Sequence, residues 1–127
     1  MVKDIIAVLI GGVIGTAMRV GADTVFSLVM PGNFTAIMTI NALGSFMLGA
    51  LVAGLWSRRS AKSWVKAGIG TGLLGSFTTL SGIALAGLTT GNAFVTMYLI
   101  FMSLFTSLFA AWFGLWLGGL TVRKGAR

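Results

Sequence analysis

Four long apolar stretches, roughly residues 5–29, 34–56, 67–90 and 93–119, account for almost all of this chain, and each has the roughly 20 mostly apolar residues that a helix needs to cross a hydrocarbon core. With 127 residues, 57% of them hydrophobic and 9% charged, and a mean hydropathy of +1.00, the composition lies outside the soluble range. The sequence therefore predicts an all-α membrane protein of four transmembrane helices. No break in composition and no linker divides it, so a single domain over 1–127 is expected. The run from Ile5 to Gly15 resembles a signal peptide only superficially, because the apolar stretch continues through Val29 and no hydrophilic segment follows. It is expected to be retained.

The net charge of +7 has a topological reading rather than a nucleic-acid one. Arg58, Arg59, Lys62 and Lys66 occupy the one real loop, and Arg123, Lys124 and Arg127 the tail, whereas the turns at Pro31 to Asn33 and at Gly91 to Asn92 carry no charge. Four spans put that loop and both termini on one face. The positive-inside rule makes that face cytoplasmic, and Trp56, Trp64 and Trp116 fall near the same interface; the expected location is the cell (plasma) membrane, the inner membrane of a prokaryote. With no cysteine and no histidine, thiolate metal sites, disulfides and imidazole bases are excluded. Most enzyme chemistry is thereby excluded, and no enzyme activity is expected.

Small residues recur four apart: Gly11 and Gly15, Ser45 and Gly49, Gly68 and Gly72, Gly114 and Gly118. Such pairs let helix backbones approach closely, within a chain or between chains. Four thin helices enclose little space, so an aqueous path forms more naturally between subunits, which favours a dimer.

Polar groups inside the spans each have two readings, because a polar group in lipid is costly unless it is paired or useful. Arg19 can snorkel outward or pair with Asp23 one turn on, or it can attract an anion. Asn41 can join helices through hydrogen bonds or offer its amide to an ion. Ser103 and Ser107 share one face of the fourth span with Thr96 close to the same stripe; their hydroxyls either bond their own helix backbone or form a row of donors along a path.

The segment GLLGSFTTLSGI, residues 72–83, is the densest hydroxyl cluster in the chain. Ser76, Thr78, Thr79 and Ser81, flanked by Gly75 and Gly82, make a poor continuous helix. A break in the third span is expected. Broken backbone at membrane depth is tolerated only where protein or a wet cavity satisfies the freed groups, and carbonyls freed at such breaks commonly coordinate a cation.

Three motifs in order resemble the small fluoride-channel family, Fluc or CrcB. GGVIGTAMR (11–19) resembles its Gly-rich first-span motif ending in Arg, INALGSFMLG (40–49) its second-span motif around Asn, and GLLGSFTTLSGI its third-span Thr-Thr-Phe-Ser-Thr-Phe break. The resemblance implies an antiparallel, dual-topology dimer in the lipid membrane, with two pores along the subunit interface that passively export toxic fluoride. It implies a central structural sodium ion held by backbone carbonyls, which maps onto Gly75 and Thr78. Arg19 matches the family's vestibule arginine, Asn41 its pore asparagine, and Ser81 the hydroxyl of the third-span motif; Ser103 and Ser107 fall where the family runs a polar track. Fluoride is strongly hydrated, so many donors must replace its water, and hydroxyls and an amide are the donors this chain has.

The match fails at the two Phe positions of the motif, whose ring edges carry the positive side of the aromatic quadrupole. Leu80 and Ile83 stand there, Gly82 replaces a Thr, and the acidic residue after the motif is absent. A dual-topology homodimer also needs a weak charge bias, whereas this chain has a strong one. The two departures together suggest one half of a heterodimer, with an oppositely oriented partner supplying the Phe pair. Two other classes compete. A small multidrug antiporter has four spans but needs an embedded carboxylate, for which only Asp23 and Asp4 are available; a non-conducting membrane adaptor accommodates the lost Phe residues but leaves the hydroxyl cluster unexplained.

Overall fold

The structure is a computed structural model that describes residues 1–29, 33–54, 56 and 61–124. Arg58, Arg59, the Pro31 turn and Arg127 lie outside the described residues. Helix α1 spans Val2–Val29 and α2 spans Asn33–Ala53. The third crossing begins with a turn of α-helix, α3 (Ser63–Lys66), and widens into a π-helix over Ala67–Leu74. It ends with a short α4 (Gly75–Phe77) and resumes after an interruption as α5 (Ser81–Leu88). Helix α6, Ala93–Lys124, is the fourth crossing. All four crossings are long and apolar enough to span a membrane, and the chain is a multi-pass membrane protein.

Packing follows the glycines. A Cβ on Gly11 would meet the Gly68 carbonyl oxygen, one on Gly15 the Leu73 carbonyl oxygen, and one on Gly72 the Val8 oxygen at 2.7 Å, so α1 lies backbone to backbone on the π-helical stretch. A second seam joins α2 to α6. There a Cβ on Gly49 would meet the Ala111 oxygen, one on Gly114 the Phe46 oxygen, and one on Gly118 the Ala50 oxygen. The small-residue pairs thus serve packing inside the chain, with the exception of Ser45, which faces a groove. Dispersion and close backbone approach hold such seams, since lipid offers no hydrophobic drive between helices.

The interior is thin, as expected of four crossings. Among the described residues Ala36, Ile40, Leu74 and Ile83 are the buried apolar side chains, while large residues along α1 and α6, such as Leu9, Val13, Phe101 and Phe105, are exposed. At the loop end Asp4 accepts a hydrogen bond from the Ser63 hydroxyl at 2.7 Å, tying the start of α1 to the start of the third crossing. The Trp56 ring covers Gly70, and Lys66 Nζ donates to the Trp56 carbonyl at 3.3 Å.

Candidate functional site

The interruption in the third crossing is three residues long. Thr78 leaves the helix with φ −86° and ψ 150°, and Leu80 returns to helical values, φ −85° and ψ −35°. The sequence places a break within 72–83, and Thr78 to Leu80 is where it falls. The Thr78 N–H still donates to the Leu74 carbonyl at 3.2 Å, so the helical ladder stops one residue later, at Thr79.

Asn41 is what takes over. Its Oδ1 accepts from the Thr79 N–H at 2.7 Å, and its Nδ2 donates to the Thr79 carbonyl, also at 2.7 Å. One side-chain amide therefore satisfies both main-chain groups of the residue at the centre of the break, at a position where Asn41 is only 6% exposed. Of its two sequence readings, the joining of helices is the one its bonds display. The Thr79 hydroxyl completes the repair: it accepts from the Gly82 N–H at 3.2 Å, supplying a cap to α5, and lies 3.0 Å from the Ser81 hydroxyl.

The carbonyls just before this point are left over. Among the described residues no main-chain N–H closes on the carbonyls of Gly75, Ser76, Phe77 or Thr78. Nor do the described residues contain a carboxylate, histidine or cysteine cluster able to hold a metal. The oxygens that the break offers a cation are main-chain carbonyls and the hydroxyls of Ser76, Thr78, Thr79 and Ser81.

Two grooves flank the break, and the candidate residues divide between them. Asn41, Leu80, Ser103 and Ser107 line one of about 190 Å³, with Ser45 and Thr78. Arg19 and Ser81 line another of about 540 Å³, with Asp23. Thr79 borders both. Ile83 borders neither and is completely buried within the chain, whereas Leu80 is 54% exposed.

The serine hydroxyls of the smaller groove make no hydrogen bond with a described residue, whereas the Thr78 hydroxyl donates to the Leu74 carbonyl at 3.4 Å and the Thr79 hydroxyl is held by Gly82 and Ser81. Ser103 is 2% exposed as a residue, and its hydroxyl, like those of Ser45 and Ser107, makes no hydrogen bond with any described residue; no unbonded polar side-chain atom among the described residues is fully buried, so the Ser103 hydroxyl keeps its small open surface beside the groove. Thr96 behaves otherwise, donating to the Asn92 carbonyl at 3.1 Å in its own helix. Thr106, beside the serines, donates to the Met102 carbonyl at 2.8 Å. Back-bonding to the helix is the usual fate of such a side chain, so its absence at both serines sets them apart. Ser45 escaped the sequence reading as a site residue, although it stands four after Asn41 on the same face of α2. The signal was the same spacing that singled out Ser103 and Ser107.

In the larger groove, Arg19 and Asp23 stand one turn apart on α1 and do not pair. Neither makes an ion pair or hydrogen bond with a described residue. Both are half-buried.

These features define a class: a small polytopic membrane protein with a helix break set between two grooves, one carrying three serine hydroxyls unbonded among the described residues and the other an arginine with no ion pair among them. Residues 6–115 match the family described as CrcB-like protein, Camphor Resistance (CrcB), and the chain belongs to that family. It is 40% identical over 84 residues to the fluoride-specific ion channel FluC 2 of Halalkalibacterium halodurans, covering 65% of this chain and 60% of that relative. It is 37% identical over 89 residues to FluC of Parabacteroides distasonis, covering 67% of this chain and 66% of the relative. With FluC of Pseudomonas syringae pv. tomato it shares 34% over 86 residues, 67% of this chain and 69% of the relative.

Proposed function

We propose that this chain is a subunit of a passive fluoride channel, arranged antiparallel with a second subunit so that pores run along the interface between them. The observation that carries the reading is the Ser103 hydroxyl, on a residue only 2% exposed, open to the groove at the helix break and unbonded among the described residues beside Ser107 and Ser45. Three hydroxyls with no partner among the described residues, gathered in one groove at membrane depth, suit something passing through that accepts hydrogen bonds from them. A small anion does so. Fluoride, which surrenders tightly held water on entering a pore, needs several such donors at once, and three relatives of this chain bear the name fluoride-specific ion channel.

The break supports a second subunit. Leu80 and Ser81 are exposed, and the nearby carbonyls of Gly75 and Thr78 take no main-chain bond. Such backbone is tolerated at membrane depth only against protein or a wet cavity, and an apposed second subunit supplies both. The same carbonyls, drawn from two crossed third spans, offer a structural sodium ion the hard oxygen ligands it prefers, with no carboxylate needed. Arg19, Asn41, Ser81, Ser103 and Ser107 form the anion path, with Asn41 positioning Thr79 and keeping a second amide N–H available.

The partner we propose is a different chain of opposite orientation. Ile83 is sealed in the core and Leu80 is aliphatic, so neither presents a positive ring edge to an anion. An oppositely inserted homologue with the Phe pair would supply it. Fluoride efflux from liposomes tests both levels. Co-reconstitution with such a homologue should give rapid efflux and the chain alone little; rapid efflux from the chain alone would remove the heterodimer, and none with any partner would remove the channel.

A further inference from the structure

We infer that Asp23 tunes anion affinity by weakening the hold of Arg19 on a passing anion, so that the anion binds and also leaves; this rests on the channel reading above.

The larger groove holds two ionisable side chains of opposite sign. Arg19 and Asp23 are four residues apart and so lie on one face of α1, about 6 Å apart along its axis. Spacing of this kind ordinarily lets the pair close on itself. Here both remain without an ion pair or hydrogen bond among the described residues, and both line the same groove. The elements packed against them add no charge: α5 brings Gly82, Leu85 and Leu88, and α2 borders Asp23 with Ala36 and Ile37.

An unpaired guanidinium beside a low-dielectric wall is a strong anion trap, because the charge is weakly screened there. A trap is a poor conductor. Conduction requires a site favourable enough to enter and weak enough to leave, and a carboxylate one turn away lowers the potential at the site without neutralising the arginine. Asp23 also stands nearer than Arg19 to the Val29 end of α1, so an anion arriving from the face with the uncharged turns meets the carboxylate first. It sets an entry barrier as well as a release rate.

The test is the concentration dependence of fluoride efflux from liposomes carrying the conducting assembly. Asp23→Asn should lower the half-saturating fluoride concentration by about tenfold, the effect of one charge at this distance in a partly screened site, and should lower the limiting rate with it. Asp23→Glu, which keeps the charge, should match the wild type. Arg19→Gln alone should raise half-saturation, and the double variant Arg19→Gln with Asp23→Asn, again neutral overall, should return towards the wild-type value. A half-saturation that stays within about twofold in Asp23→Asn overturns the inference while leaving the channel intact. Likewise, Asp23→Glu behaving like Asp23→Asn would mean that shape rather than charge matters. Absence of saturable efflux from the wild-type assembly overturns the channel reading, and this inference with it.

Discussion

Asn41 and Ser103, the two buried polar side chains among the described residues, stand in opposite chemical situations. Asn41 spends both ends of its amide on the main chain of Thr79, whereas the Ser103 hydroxyl has no bond to give up. Removing Asn41 orphans an N–H and a carbonyl at membrane depth, each costing about 1–3 kcal/mol. Asn41→Ala should therefore lower thermal stability in detergent markedly and abolish flux. Ser103→Ala removes no internal bond, so its stability should stay within about 0.5 kcal/mol of wild type. Its fluoride flux should fall by about tenfold or more, the worth of one hydrogen bond to a charged partner. Equal stability losses in the two variants would show that Ser103 is bonded after all. From the sequence both residues carried two readings, and only geometry separates them. The bonding partner of Asn41 lies 38 residues away, in a conformation that no local pattern encodes, while the serines were visible through their spacing alone.

The third crossing is the element least legible in advance. Its hydroxyl and glycine cluster marks the break, but nothing local announces eight residues of π-helix just before it. The π form is rare and favours functional sites. Here it coincides with Gly68, Gly70 and Gly72, which admit the α1 backbone on one side and the Trp56 ring on the other. Glycine weakens the intrinsic case for an α-helix, and tertiary approach then decides the winding. The seam itself was legible as pairs four apart, though not whether it served one chain or two. Gly15→Ala should cost about 1–3 kcal/mol by overpacking, because its Cβ would press on the Leu73 carbonyl oxygen. Gly21→Ala, six positions on in the same helix with nothing within 4 Å of its Cβ, should be neutral or slightly stabilising. Melting curves of the two variants in one detergent make the comparison; equal destabilisation would dissolve the seam as an explanation.

Orientation belongs to the whole molecule, and charge governs it. Lys62 and Lys66, with Arg58 and Arg59, border the central loop, while the Thr89–Asn92 turn opposite has no charge. Positive residues in short loops oppose translocation, so copies of this chain should insert one way, with the central loop inside. The lack of native cysteine makes the experiment clean. Ala61→Cys reports the loop end, and Ala93→Cys, exposed at the start of α6, reports the other. In intact cells a membrane-impermeant maleimide should label only Ala93→Cys. Lysis should expose Ala61→Cys as well. Partial labelling of both in intact cells would mean that both orientations are populated, and the charge bias would then be too weak to demand a separate partner. One-sided labelling makes an antiparallel pair of identical chains impossible to assemble in the membrane, because every copy presents the same face outward. An antiparallel channel would then need a second gene product whose loop charges run the opposite way, and replacing Arg58, Arg59, Lys62 and Lys66 by glutamine should restore mixed labelling in this chain.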